Sequence, residues 1–170
     1  SIPADYTAEC SDPHPMDAAS AIDNCGEVTI DLVETTIPGA CAGDYTITRE
    51  FTATDDCGNA ISATQTISIV DTTAPVITIP ADYTAECSDS HPMDDATAID
   101  NCGTVVSLIL SESTTTGLCA GDYSIARTWT ATDDCGNTSS STQTITIIDT
   151  TAPEFTSIPS DYTAECSGSQ

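Results

Sequence analysis

Tyr45-Thr-Ile-Thr-Arg-Glu-Phe-Thr-Ala-Thr54 reads with a period of two. Tyr45, Ile47, Phe51 and Ala53 fall on one side, and Thr46, Thr48, Glu50, Thr52 and Thr54 on the other. Alternation of this kind makes a strand with one packed and one wet face. The next segment repeats it, with Ile67 and Ile69 set against Thr64, Thr66 and Ser68. The abundance of Thr and Ile fits strands, where β-branched side chains pack well, and no segment has helical spacing. The pattern predicts a small antiparallel β-sandwich with strands near 2–10, 27–37, 44–55 and 60–70. A long irregular return covers 11–24, and Asp56-Cys57-Gly58-Asn59 turns between the last two strands.

Outward from this unit the chain repeats itself. IPADYTAEC stands at 2–10 and again at 79–87, and IPSDYTAEC at 158–166. The remaining cysteines keep step: Cys25 with Cys102, Cys41 with Cys119, Cys57 with Cys135. Such periodicity marks a tandem array. The expected division is a first repeat at 1–74, a second at 75–152, and the first strand of a third at 153–170. The chain reads as a window onto a longer array of a mature, exported protein, the rival being that the last segment completes a neighbouring molecule.

Composition narrows the partners. The 170 residues carry 27 Asp and Glu against two Arg and no Lys, a formal charge of −25. That excess argues against nucleic acid and anionic membranes, and favours cations, glycans or further copies of the chain. No apolar run approaches a membrane span.

Following the strands back and forth puts Cys10 and Cys41 at the far end of repeat one, and Cys25 and Cys57 at the near end. Pairing like ends predicts Cys10–Cys41 and Cys25–Cys57, and in repeat two Cys87–Cys119 and Cys102–Cys135. Four cysteines allow three connectivities. Cys41–Cys57 is disfavoured, because a 12-residue strand spans roughly 40 Å while bonded cysteines lie within about 7 Å. Cys166 is then the odd one out, its partner expected in the remainder of the third repeat. A zinc site is disfavoured by the absence of a C-x2-C knuckle. Dependence on disulfides implies an oxidising, extracellular setting.

The runs Ala-Thr-Asp-Asp-Cys-Gly-Asn at 53–59 and 131–137, Ala-Ile-Asp-Asn-Cys-Gly at 21–26 and 98–103, and Asp-Thr-Thr-Ala-Pro at 71–75 and 149–153 resemble those of hyalin-repeat (HYR) and related immunoglobulin-like modules. Such modules are common in large secreted surface proteins of bacteria, Bacteroidota in particular. The resemblance covers essentially the whole chain. It implies tandem immunoglobulin-like β-sandwich repeats, all-β, at the cell surface or outside the cell.

Oxygen-bearing side chains gather at the near ends: Asp23, Asp55, Asp56 and Asn59 in repeat one, Asp100, Asp133, Asp134 and Asn137 in repeat two. Asp71 precedes repeat two in the linker. Turn oxygens of this kind suit Ca²⁺, so the linker and loop acids are expected to meet at the junction and hold it; the alternative is that they cap turns. Arg49 and Arg127 lie on the packed face and need carboxylate partners, for which Glu9 and Glu86 are the candidates. Asp-Thr-Thr looks like a Bacteroidota O-glycosylation motif, which would put O-glycans on Thr72 and Thr150. Asn137-Thr138-Ser139 is a formal N-glycan acceptor. His14 and His91 read as loop residues. Nothing resembles a catalytic grouping: the adjacent acids lack a cleft, and no enzyme is expected.

These readings converge on a structural module, the shaft of an extracellular filament, stalk or appendage, stiffened by disulfides and Ca²⁺. Its partners would be neighbouring repeats or copies of itself in a fibre. The alternatives are an adhesin or glycan-binding surface module, and spacer domains of a larger secreted enzyme.

Overall fold

A computed structural model describes residues 1–163. It is all-β, with ten strands and no helix among the described residues, consistent with an immunoglobulin-like sandwich. Repeat one contains β1 (Tyr6–Glu9), β2 (Val28–Pro38), β3 (Tyr45–Asp55) and β4 (Ala60–Val70). Repeat two contains β5 (Val76–Thr78), β6 (Tyr83–Glu86), β7 (Thr97–Ile99), β8 (Val105–Thr116), β9 (Tyr123–Asp133) and β10 (Thr138–Ile148).

Each repeat is built on one four-stranded sheet, in the order β1-β4-β3-β2 and β6-β10-β9-β8. The sheets are mixed, which corrects the purely antiparallel expectation: β1 runs parallel to β4, and β6 to β10. The first strand ends at the far end of the repeat, and the last strand leaves by that same end, so the two must point the same way. Side chains fix this pairing. Gln65 Nε2 donates to the Ala4 carbonyl and the Thr66 amide to Asp5, both at 2.8 Å; Gln143 and Thr144 repeat the bonds to Ala81 and Asp82.

The period-two pattern places Ile47, Phe51, Ile67 and Ile69 on the buried face of the first sheet, and Trp129, Ala131, Ile145 and Ile147 on that of the second. The return loop of repeat two is not wholly irregular. Its residues 97–99 form β7, which pairs with β5 just after the linker into a two-stranded second layer. Three-residue strands carry too little alternation to be read in advance. Residues 153–163 form no strand, contrary to the expectation of a third first strand at 158–166. In the two repeats that strand is held by β4 or β10, and no such neighbour lies beside 153–163 among the described residues. Residues 164–166 of that segment lie outside the described residues.

Candidate junction site

The two repeats meet end to end, and the cysteines pair across the meeting. Cys10 is bonded to Cys102 and Cys41 to Cys135, with Cα separations of 5.8 and 5.1 Å. The expected pairs Cys10–Cys41, Cys25–Cys57, Cys87–Cys119 and Cys102–Cys135 are therefore corrected. Chain direction gives the end of the repeat at which a cysteine lies but not its place across the sheet. Cys10 follows β1 and Cys41 follows β2, and those strands are the two edges of the sheet. Three inter-strand spacings, about 14 Å, separate such edges, twice the reach of a disulfide. The nearest partner for each far-end cysteine is a near-end cysteine of the next repeat. Cys25, Cys57, Cys87 and Cys119 are free and exposed.

Between the two bridges lies an acidic cluster. Asp71, Asp100 and Asp133 each bring one carboxylate oxygen within 4.8 Å of the others. Asp71 arrives at the exit of β4, where its amide donates to Asp44 Oδ1 at 3.0 Å and its Oδ1 accepts from the Thr73 amide at 3.1 Å. Gly43 makes room for it, since a Cβ there would stand 2.5 Å from that of Asp71. Asp100 follows β7, its Oδ2 accepting from the amides of Cys102 and Gly103. Asp133 ends β9, and its Oδ1 accepts from the amides of Cys135 and Asn137. The backbone thus orients one side of each carboxylate and leaves oxygens over. Asp71 Oδ2 and Asp100 Oδ1 are buried with no hydrogen-bond partner, while Asp71 and Asp133 are only 5% and 1% exposed.

Two buried carboxylates and a half-buried one this close repel one another. Burial is the main cause that raises the Asp71 carboxyl above its ordinary range, with the charges of Asp100, Asp133 and Glu9 adding to it and the Thr73 amide opposing. No side-chain cation relieves them, because both arginines are engaged elsewhere. Arg49, 3% exposed, donates from Nε to Glu34 and from Nη1 to the Pro15 carbonyl, at 2.8 and 2.9 Å. Arg127 makes the same contacts with Glu112 and the Asp94 carbonyl, both at 2.8 Å, and lies 4.7 Å over the Trp129 ring. Glu9 and Glu86 are therefore not the arginine partners. They sit at the far ends, where they accept from the amides and hydroxyls of Thr72 and Thr150. Glu34 is the residue directly across the ladder from Arg49, as Glu112 is from Arg127.

The other predicted ligands are distributed around this centre. Asp134 stands outside the cluster and bridges the joint, accepting from the amides of Ala42 at 2.9 Å and Thr104 at 3.1 Å; these bonds hold its carboxyl below the ordinary range. Asn137 donates to the Asp71 carbonyl and to Asp133 Oδ2, so its amide is engaged within the joint. Asp23, Asp55, Asp56 and Asn59 lie at the near end of repeat one, away from the cluster. There the Asn59 side chain is the largest cause that holds Asp55 low. Thr72 and Thr150 are exposed on the linkers.

Residues 75–147 match the family model of the HYR-like domain with 4 cysteines. The chain carries, over that span, an HYR-like repeat module. It is 35% identical over 156 residues to hyalin of Strongylocentrotus purpuratus, covering 84% of this chain and 12% of that protein. To hyalin of Lytechinus variegatus it is 32% identical over 155 residues, 84% of this chain and 28% of that protein. The chain spans only about an eighth to a quarter of these relatives' length. Both come from sea urchins, so a Bacteroidota-type origin gains no support. No helix is long and apolar enough to cross a membrane.

Proposed function

We propose that the chain is a stretch of extracellular structural repeats whose role is to set length and stiffness, and that each joint is fastened by two disulfides around a buried Ca²⁺ ion. The observation that carries this reading is the Asp71, Asp100 and Asp133 cluster, with Asp71 Oδ2 and Asp100 Oδ1 buried and unpartnered. A hard divalent cation supplies the missing charge and takes oxygen donors. One acid comes from the linker at the exit of repeat one and two from repeat two, so an ion held among them resists bending of one repeat against the other. Disulfide use supports an oxidising compartment, and the sea urchin relatives support a repeat module. Exposed Thr72 and Thr150 are kept as O-glycan sites, which an intact mass measures directly.

The test is thermal melting of the chain with CaCl₂ and with EGTA, together with calorimetric titration by Ca²⁺. The reading expects binding and a higher Tm with the ion. An equal Tm in both buffers would remove the ion from the joint.

A further inference from the structure

Each acid of the junction cluster is tied through the backbone to a disulfide. Asp100 and Asp133 stand two residues before Cys102 and Cys135, and each carboxylate accepts from the amide of that cysteine at 2.9 Å. The Asp-x-Cys turn therefore sets the direction of the acid against its own sulfur bridge. Asp71 meets them from the other side of the joint, with a carboxylate oxygen within 4.8 Å of the Cys10 and Cys102 sulfurs. Its amide donates to Asp44 Oδ1 at 3.0 Å, and the Asp44 amide donates to the Cys41 carbonyl at 3.1 Å. Asp44 in turn has an oxygen within 4.8 Å of the Cys41 and Cys135 sulfurs.

The two bridges and the three acids thus span the same gap. Cys10–Cys102 fastens repeat one to the loop that carries Asp100, and Cys41–Cys135 fastens it to the turn that carries Asp133. Opening either bridge releases one loop acid from its place beside Asp71. Without a cation, the carboxylates push the two sides apart and the bridges oppose them. All four bonded cysteines are half-buried, within reach of a small reductant. A cleft lined by Ser11, Thr73, Asp100 and Asn101 opens beside the cluster, so an ion can exchange with the medium while the joint stays shut.

We propose that Ca²⁺ and the two disulfides of the joint are thermodynamically linked. The ion makes the bridges harder to reduce, and their reduction weakens its hold by the same factor, because coupling between two binding equilibria is reciprocal. This rests on the ion reading above and adds a redox control to it. Reduction by a dithiol breaks each S–S bond with two electrons and two protons, leaves two thiols on the chain, and closes the dithiol to its cyclic disulfide. The joint then locks where calcium is plentiful and becomes reducible where calcium is scarce.

The test uses the whole chain with its free thiols, Cys25, Cys57, Cys87 and Cys119 among them, alkylated beforehand. It is equilibrated at graded ratios of reduced to oxidised dithiothreitol, in saturating CaCl₂ or in EGTA. A second alkylating label and peptide mapping then read Cys10, Cys41, Cys102 and Cys135. The equilibrium constant for reducing the pair of bridges should be lower in CaCl₂ by about 5- to 150-fold. Calorimetric Ca²⁺ affinity should be lower in the reduced chain by the same factor. Asp71→Asn should form both bridges and titrate identically in the two buffers. A shift that persists in Asp71→Asn would mean that calcium acts by screening the charge of the chain, and would overturn the proposal. Loss of the sheet signal in circular dichroism on reduction would also overturn it, since the linkage would then be to folding of the whole chain. Equal constants in the two buffers, with calcium binding to the oxidised chain, would sink the linkage and leave the ion in place. No calcium binding to the oxidised chain would sink both.

Discussion

Asn137 donates its side-chain amide to the backbone carbonyl of Asp71, 66 residues earlier, and to Asp133 Oδ2, both at 3.0 Å. One amide thereby fixes the linker and a cluster acid in a common frame. Asn137→Ala should lower stability by about 1 to 2 kcal/mol, since it leaves half-buried acceptors unmet, and should weaken Ca²⁺ binding as Asp133 loses its orientation. Urea unfolding and calcium titration of the same variant check both effects.

Removing one bridge should act on the pair of repeats. The bonded cysteines are 92 and 94 residues apart, and closing a loop of that size stabilises by roughly 4 to 5 kcal/mol in the chain-entropy picture. Cys10→Ser and Cys102→Ser should therefore give similar losses. A variant loss confined to one repeat, seen as two separate unfolding steps with only the first repeat weakened, would count against a bridge across the joint.

Asp71 gives the joint a pH dependence when the ion is removed. Its folded carboxyl titrates above the ordinary 3.8, so between those two values the folded chain holds a proton that the unfolded chain has lost. Its contribution to stability falls as pH rises through that window and is level above it. In EGTA at neutral pH, Asp71→Asn should raise Tm by about 3 °C, corresponding to about 1 kcal/mol, and should abolish the rise on adding Ca²⁺. Melting curves over a pH series, with and without the substitution, measure this.

Asp134 has the opposite sign. The amides of Ala42 and Thr104 hold its carboxyl below 3.8, so its stabilising contribution is present above 3.8 and is lost as pH falls through the folded value. A carboxyl NMR titration should find it among the low values, and Asp134→Ala should flatten the acid limb of the melting profile.

Arg49 ties the return loop to the sheet through the Pro15 carbonyl while pairing with Glu34. Arg49→Met should cost about 1 to 3 kcal/mol and open residues 11–24 to proteases. Lysine lacks the planar fork that makes both contacts at once, so Arg49→Lys should restore little. Limited proteolysis with mass mapping distinguishes the loop effect from a general loss of fold.

The long strands were legible because alternation over ten residues leaves one consistent face, and Ile47, Phe51, Ile67 and Ile69 are where that alternation puts them. The meeting of Asp71 with Asp100 and Asp133 follows from chain direction, which places linker and loop at one end. The disulfide partners do not follow, because they depend on the lateral order of strands, and Cys10 and Cys41 lie on opposite edges. The arginine partner needed the register: only when Val28 stands opposite Asp55 does Glu34 stand opposite Arg49. Glu9, chosen for its place in a repeated motif, ends a strand two positions away across the sheet.

Because Cys10 and Cys41 follow the two edge strands and the linker leaves from β4 between them, each joint is crossed by three covalent paths side by side. A protease that cuts Thr72 from Thr73 severs one path and leaves both halves attached. Pulling force is likewise shared across the width of the sheet, so an array of such repeats resists extension as a strap does and keeps its continuity through damage that would part a string of beads.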